Sequence, residues 1–572
     1  MSVSARKSES RSFVQGWLHR IVAFVLVPVA LLGLGSVNLQ ADDGVPNIVL
    51  ILVDDMGYSD LGCYGGEIQT PHIDALARGG LRFSTFYNAG RCCPTRASLL
   101  TGLYAHQTGV GRMTRDEKLP GYRGRLMRNC VTIAEVLRDA GYHTAMAGKW
   151  HLSVTEMLPR HMRHLNNQLI RPTFSDVETY PVSRGFDRHY GIIWGVVNFF
   201  DPFTLVNDLE PVRSVPEDYY ITDALNDYAV RCLEEHDPES GPIFLYLAHT
   251  APHWPLHALP EDIEKYQDTY TAGWRPVRDA RYRRQVEMGL IDPQTCRLSP
   301  RHPAEANWAT NEHRDWDARA MAVHAAMIDR VDQGLGRVIA KLKEKQMFDN
   351  TLILFLSDNG ASPERPGVPG FDRVSETRDG RPVQYFGPDM PRDRLPGDET
   401  TVAGIGPMWA NVSNTPFRYW KGSHFEGGIR TPMIAHWPAG LTAKANSITH
   451  QPGHLIDVMA TCLEVAGLDY PEEYDGHAIT PLEGRSLLPI LEGRERAGHA
   501  ALYFEHYDER AMREGDWKLV AAEKSAWELY DLRVDQSELN NVAAEHPERV
   551  EAMVARWQAW AERCGVLRPA EE

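Results

Sequence analysis

The apolar positions of this chain fall into two rhythms. Short continuous runs occupy residues 47–53 (Asn-Ile-Val-Leu-Ile-Leu-Val), Ile243–Ala248 and 351–356, and a further strand-like stretch spans 142–147. Runs of this length, dominated by Ile, Val and Leu, predict strands buried on both faces, as in a parallel sheet. Between them, apolar residues recur at helical spacing over 132–140, Ile221–Glu235 and 318–344. Strands alternating with helices predict an α/β fold, a large mostly parallel or mixed sheet flanked by helices. From about 497 the rhythm changes. Residues 501–506, 517–520 and 528–530 form short aromatic, β-prone runs. They predict a smaller C-terminal antiparallel sheet, closed by a helix near 547–563. The expected division is a catalytic domain at 42–496 and a subdomain at 497–572. Three stretches follow neither rhythm, about 152–182, 258–316 and 361–412, and read as loop insertions. The last is dense in Pro, Gly, Arg and Asp and directly follows a candidate site segment, which suits a substrate-facing loop.

Residues 1–41 carry a different pattern. Arg6, Lys7, Arg11 and Arg20 precede or flank an apolar run at 21–37, and small and polar residues lead to Leu39-Gln40-Ala41. This is the order of a secretory signal peptide. It predicts cleavage near Ala41 and an exported protein, periplasmic or extracellular. An uncleaved anchor is the alternative, although the run is short for a span and Pro28, Gly33 and Gly35 weaken it. After cleavage no stretch is long and apolar enough to cross a bilayer.

Composition narrows the function classes. The chain has 572 residues, 43% hydrophobic and 24% charged, which is globular and too long for one small core. Sixty basic against 77 acidic residues give a net charge of −17, which argues against a uniformly basic nucleic-acid binder. A mean hydropathy of −0.38 excludes a multi-spanning membrane protein. Eight cysteines are too sparse for a disulfide scaffold.

The candidate chemistry lies where strands and helices end. Arg91-Cys92-Cys93-Pro94-Thr95-Arg96 runs into Ala97-Ser98-Leu99-Leu100-Thr101-Gly102. Pro94 suits a first helical turn and Gly102 an end, so Cys92 is expected just before a helix N-terminus, where the dipole favours an anion. Arg96 can project over the same end. Asp54-Asp55 follows the first strand and Asp358-Asn359 follows the strand at 351–356. Carboxylates at equivalent strand ends need a cation or donors, and this set of hard oxygens suits Ca²⁺ or Mg²⁺ and not Zn²⁺. Gly148-Lys149-Trp150-His151 alternates Lys149 with His151 on one extended face. Ala251-Pro252-His253-Trp254-Pro255 presents His253 on a rigid turn, and Lys421 follows Arg418-Tyr419-Trp420. Taken singly, each segment has a plainer reading: a buried Cys pair beside a structural Arg, turn-making Asp and Asn, a capping His, a solvated Lys.

Together, in this order, they resemble the type I sulfatases of the alkaline phosphatase superfamily. The resemblance rests on Cys-x-Pro-x-Arg with Ala-Ser-Leu-Leu-Thr-Gly, Asp54-Asp55, Gly-Lys-Trp-His, His253, Asp358-Asn359 and Lys421, and extends from Pro46 to about Ala543. It implies that a separate maturation enzyme converts Cys92 to Cα-formylglycine, with Cys93 in the variable position. It implies a divalent metal, usually Ca²⁺, held by Asp54, Asp55, Asp358 and Asn359 and completed by the modified Cys92. It further implies that Lys149, Lys421 and His253 hold the sulfuryl group, that His253 serves the leaving alcohol, and that His151 acts in release of sulfate. Arg96 belongs to the same catalytic set, and Arg418 takes a structural part. The expected activity is hydrolysis of sulfate monoesters, aryl or carbohydrate. The rivals are a phosphonate or phosphodiester hydrolase of the same superfamily and a non-catalytic, metal-containing glycan-binding protein.

Overall fold

A computed structural model describes residues 44–154, 174–300, 307–369 and 374–566. The expected signal segment 1–41 lies outside the described residues, as do parts of the three stretches read as insertions.

Ten strands form the main sheet: β1 (Asn47–Val53), β2 (Leu81–Phe83), β3 (His143–Gly148), β4 (Arg188–Ile192), β5 (Leu205–Asn207), β6 (Glu210–Pro211), β7 (Ile243–Ala248), β8 (Thr351–Ser357), β9 (Met433–His436) and β10 (Ser447–Thr449). Their order is β10-β2-β9-β8-β1-β7-β3-β4-β5-β6. The five central strands β8, β1, β7, β3 and β4 are parallel, and antiparallel pairs flank them, so the sheet is mixed around a parallel centre. The apolar runs at 47–53, Ile243–Ala248 and 351–356 are three of these central strands, and all three are buried apart from the partly buried Asn47.

Both faces are covered. Val49, Ile51 and Val53 of β1 face one core and Ile48, Leu50 and Leu52 the other. Against the first lie α3 (Ile221–Glu235) and the 31-residue α5 (Arg314–Glu344). Against the second lie α1 (Cys92–Thr101), α2 (Ile133–Asp139) and α6 (Asp457–Ala466). Helix α2 starts on a capping box, Thr132 accepting from the Glu135 amide and Glu135 from the Thr132 amide, as the Thr-x-x-Glu spacing dictates.

Several elements escape the apolar pattern, a helix and a strand of the C-terminal sheet among them. The stretch 258–316 contains a short helix at Pro260–Glu264 and α4 (Trp274–Glu287). Helix α4 buries Arg278, Arg281 and Gln285 on its inner side. Arg281 pairs there with Asp60 and Glu67, each at 2.6 Å. Polar residues occupy inward positions, so hydrophobic periodicity does not reveal this helix. In the C-terminal sheet, β11 (Leu502–His506), β13 (Trp517–Ala521) and β14 (Glu528–Asp531) match the three aromatic runs. A fourth strand, β12 (Glu509–Glu514), lies between β11 and β13, with only Ala511 and Met512 buried. All pairs are antiparallel, and α7 (Pro547–Cys564) packs on the sheet.

All eight cysteines are buried and free. Among the described residues no helix is long and apolar enough to cross a membrane.

Candidate active site

The parallel register determines where the site forms. β1 and β8 pair from Asn47↔Thr351 to Val53↔Ser357, so both strands stop level with each other. Asp54-Asp55 and Asp358-Asn359 therefore emerge side by side at the carboxyl edge, where open α/β sheets bind ligands. The Asp358 amide donates to the Val53 carbonyl at 3.0 Å and the Asp55 amide to Asp358 Oδ1 at 3.2 Å. β7 ends beside them and leads to His253; β3 ends next to β7 and leads to Lys149 and His151. Gly148 is obligatory at that exit. Its φ is +125°, and a Cβ would stand 1.8 Å from the Ala248 carbonyl oxygen.

Around this edge the structure gathers all ten residues singled out from sequence. Lys149 Nζ is 2.5 Å from Asp54 Oδ2, and Lys421 Nζ is 2.8 Å from Asp55 Oδ1. Arg96 Nη2 lies 3.0 Å from Asp358 and 3.6 Å from Asp54, while its Nη1 donates to the Lys149 carbonyl. His253 Nε2 is 3.5 Å from Asp55 Oδ2. Asn359 Nδ2 donates to Asp55 Oδ1 at 2.6 Å. On the other side, ligand atoms of Cys92, Cys93 and His151 lie within 4.8 Å of one another. The two histidines thus stand apart, His151 with Cys92 and His253 with Asp55. Asp55 and His151 both hold positive φ, +69° and +57°, the kind of backbone strain that clusters at functional sites.

Cys92 is placed slightly differently from expectation. It is the first residue of α1, with Arg91 as the extended N-cap, and so lies inside the first turn and not before it. Pro94 costs nothing there because a first-turn amide has no intrahelical partner. Its thiol is held well below the ordinary range, chiefly by a hydrogen bond from Cys93 and, against the cost of burial, by Lys149 and His151. Burial lowers His151 to about 4. Burial would raise Asp54, but Lys149, His253 and Arg96 together hold it at about 2. Asp358 is pushed well up by burial and by the Asp54 charge beside it.

The donors fit a hard cation. Three carboxylates and an amide converge, and two of their buried oxygens, Asp54 Oδ1 and Asn359 Oδ1, have no hydrogen-bond partner. Orphaned buried oxygens beside repelling carboxylates suit a hard cation such as Ca²⁺ or Mg²⁺.

Sequence reasoning passed over three neighbours. Arg91 and Glu364 form an ion pair of 2.9 Å at the rim, and Trp254 Nε1 donates to Glu364 at 2.6 Å. Only their adjacency to motif residues, one before Cys92 and one after His253, marked two of them. Glu364 lies in the charge-rich stretch 361–412, where composition points equally to a solvated face. Arg418 turns away from the site: it reaches the Glu538 carbonyl and Tyr530, tying the segment to the C-terminal sheet.

A buried carboxylate edge encircled by two lysines, an arginine and two histidines suits the hydrolytic transfer of a tetrahedral oxyanion group. The class narrows by comparison with known proteins. The sulfatase family matches residues 46–468, and the C-terminal region of N-sulphoglucosamine sulphohydrolase matches 418–559. The chain is 32% identical to an arylsulfatase of Klebsiella aerogenes, covering 80% of this chain and 94% of that protein. It is 31% identical to an uncharacterized sulfatase of Schizosaccharomyces pombe, covering 94% and 97%. The crystal structure of Ps i-CgsB superposes with a TM-score of 0.63 at 25% identity over 90% of this chain and 93% of that one. The chain belongs to the sulfatase family. It is an enzyme that hydrolyses sulfate esters, and its family works with a metal ion and formylglycine.

Proposed function

We propose that this sulfatase is an exported, arylsulfatase-like enzyme that uses Ca²⁺ and a formylglycine made from Cys92. The observation that carries the reading is the level ending of β1 and β8. It delivers Asp54, Asp55, Asp358 and Asn359 against Arg96, Lys149 and Lys421, with Cys92 at the N-terminal turn of α1.

Asp54, Asp55, Asp358 and Asn359 would hold the ion, which supplies Lewis-acid polarisation of oxygens at the site. The modification gives position 92 an aldehyde whose hydrate carries two hydroxyls where a thiol has none. The rest falls to the chain's own side chains. Lys149 and Lys421 neutralise the sulfuryl oxygens, and burial makes each charge count for more than in water. Arg96 fixes Asp358 and the Lys149 carbonyl, so it orients the carboxylate edge and the lysine together. His253 Nδ1 is engaged by the Trp254 carbonyl at 2.5 Å, which leaves Nε2 facing Asp55 and the site to serve the departing oxygen. His151, held neutral by burial beside Cys92, is free to accept a proton there in the second half of the reaction. The pattern of residues 1–41 supports export, and the likeness to the Klebsiella arylsulfatase supports aryl sulfates as accepted substrates. A sulfated carbohydrate is the other substrate class this chemistry admits.

Mass spectrometry of the peptide around Cys92, together with turnover of 4-nitrophenyl sulfate, tests the reading. Loss of sulfur with gain of an aldehyde, and sulfate release, are expected. An intact thiol in the native protein would support a binding protein instead. Faster cleavage of a phenyl phosphonate than of the sulfate would support the phosphonate hydrolase.

A further inference from the structure

Glu364 belongs to neither the metal ligands nor the sulfuryl-binding groups, yet it is built into the same site. It lies six residues beyond Asp358, at the start of the stretch 361–412. Its carboxylate accepts from Arg91 Nη2 at 2.9 Å, from Trp254 Nε1 at 2.6 Å and from Ser362 Oγ at 3.3 Å, and it stands 3.8 Å from Lys421 Nζ. Its side chain is 31% exposed, against 0% for Asp54 and Asp358 and 2% for Asp55. Among the described carboxylates of the site it is therefore the one that meets solvent. Burial raises its pKa, but Lys421, Arg91 and His253 outweigh that and hold it well below the carboxylate range.

Its position is specific. Lys421 and His253 both reach Asp55; the first is proposed to neutralise the sulfuryl oxygens and the second to serve the departing oxygen. The outer neighbour of Lys421 is Glu364, and the residue after His253 is Trp254, joined to Glu364 by a hydrogen bond. A leaving group seated between Lys421 and His253 would lie beside the Trp254 indole and the Glu364 carboxylate. Arg91, which alone would attract a second anion, is occupied by Glu364.

We propose that Glu364 is a specificity-determining residue that restricts the enzyme to sulfate esters whose leaving group carries no further anion near the scissile bond. Uncharged aromatic and neutral sugar alcohols are accepted; a neighbouring sulfate or carboxylate is rejected. The inference rests on the sulfatase reading of the same site. A carboxylate this close to the path acts by like-charge repulsion, which discriminates more sharply than the loss of an attractive contact.

The test compares two aryl sulfates matched in leaving-group pKa, one uncharged on the ring and one with a carboxylate beside the ester. The wild-type enzyme is expected to prefer the uncharged ester in kcat/KM by about tenfold or more, with the gap narrowing as salt rises. In Glu364→Gln the ratio should fall by about tenfold, mainly through KM of the carboxylated ester, and Glu364→Asp should retain the preference. Equal or better cleavage of the carboxylated ester by the wild-type enzyme would overturn the proposal, and so would a ratio unchanged in Glu364→Gln. The wild-type ratio and its salt dependence decide the matter even if the variant does not fold. Protein with a converted Cys92 that cleaves neither ester counts against the sulfatase reading itself; cleavage of both with equal efficiency counts against Glu364 alone.

Discussion

At the scale of single residues, neighbours in sequence take different duties. Cys92 and Cys93 are both buried, but Cys92 faces His151 and Lys149 whereas Cys93 donates to Cys92. Cys92→Ala should lower kcat by at least about three orders of magnitude, as loss of a nucleophile does, with far-UV circular dichroism unchanged. Cys93→Ala should keep much of the activity; the reverse pattern would exchange their roles. The histidines separate in the same way. Because His253 lies by Asp55 and Lys421, His253→Ala should steepen the dependence of rate on leaving-group pKa across a series of aryl sulfates. Because His151 lies by Cys92, His151→Ala should release about one equivalent of phenol from an activated ester in a burst and then stall, a pattern read by stopped-flow absorbance. A burst in the His253 variant instead would refute this division.

Elements are joined by buried charge as well as by apolar packing. Lys518 of β13 is fully buried between Glu426 and Glu538, at 2.7 Å from each, and Glu426 also meets Arg430. This links the small sheet to the segment that carries Lys421. Lys518→Met leaves two carboxylates facing each other without their cation and should cost about 3–5 kcal/mol in denaturant unfolding, as broken buried pairs do. A second link starts α6. Asp457 accepts from His499 Nε2 at 2.6 Å and Arg496 Nη2 at 2.8 Å. Burial raises its pKa, but those two partners together bring it down to about 2 from 3.8. A depressed carboxyl stabilises the fold above its unfolded pKa and loses that contribution as pH falls through the folded one. Between about pH 4 and 2 some 2 kcal/mol should therefore disappear, at ~1.36 kcal/mol per unit. Asp457→Asn should flatten that part of the acid-unfolding curve; a slope equal to wild type would show that the pair contributes nothing.

For the whole molecule, the proposed metal edge would couple function to stability. Asp54, Asp55 and Asp358 arise from β1 and β8 at the centre of the ten-stranded sheet, so an ion bound there would act on the fold as a whole. Saturating Ca²⁺ should stabilise the protein by about 2.7 kcal/mol at a hundredfold excess over Kd, and a chelator should remove that increment. Denaturant unfolding with and without chelator measures it, and metal analysis of the purified protein should find Ca²⁺ and not stoichiometric Zn²⁺. No change on chelation would detach these carboxylates from metal binding.

The amino-acid sequence by itself determined the class of fold and the family, and it pointed to the residues that the structure brings together. Continuous apolar runs such as 47–53 mark strands because both faces must be dry, and the order of Asp54-Asp55, Cys-x-Pro-x-Arg, Gly-Lys-Trp-His and Asp358-Asn359 marks the chemistry. These signals are local, since periodicity, turn chemistry and motif spacing are written within a dozen residues. Tertiary structure alone decided the rest. Helix α4 buries Arg281, whose charge is met by Asp60 and Glu67, more than 200 residues away. Strand β12 is specified by its two neighbours in the sheet and not by its own residues. Glu364 owes its place to Arg91 and Lys421, separated from it by 273 and 57 positions. Side chains of that kind answer to charges brought close by the sheet, and no property of the local sequence announces which charges those will be.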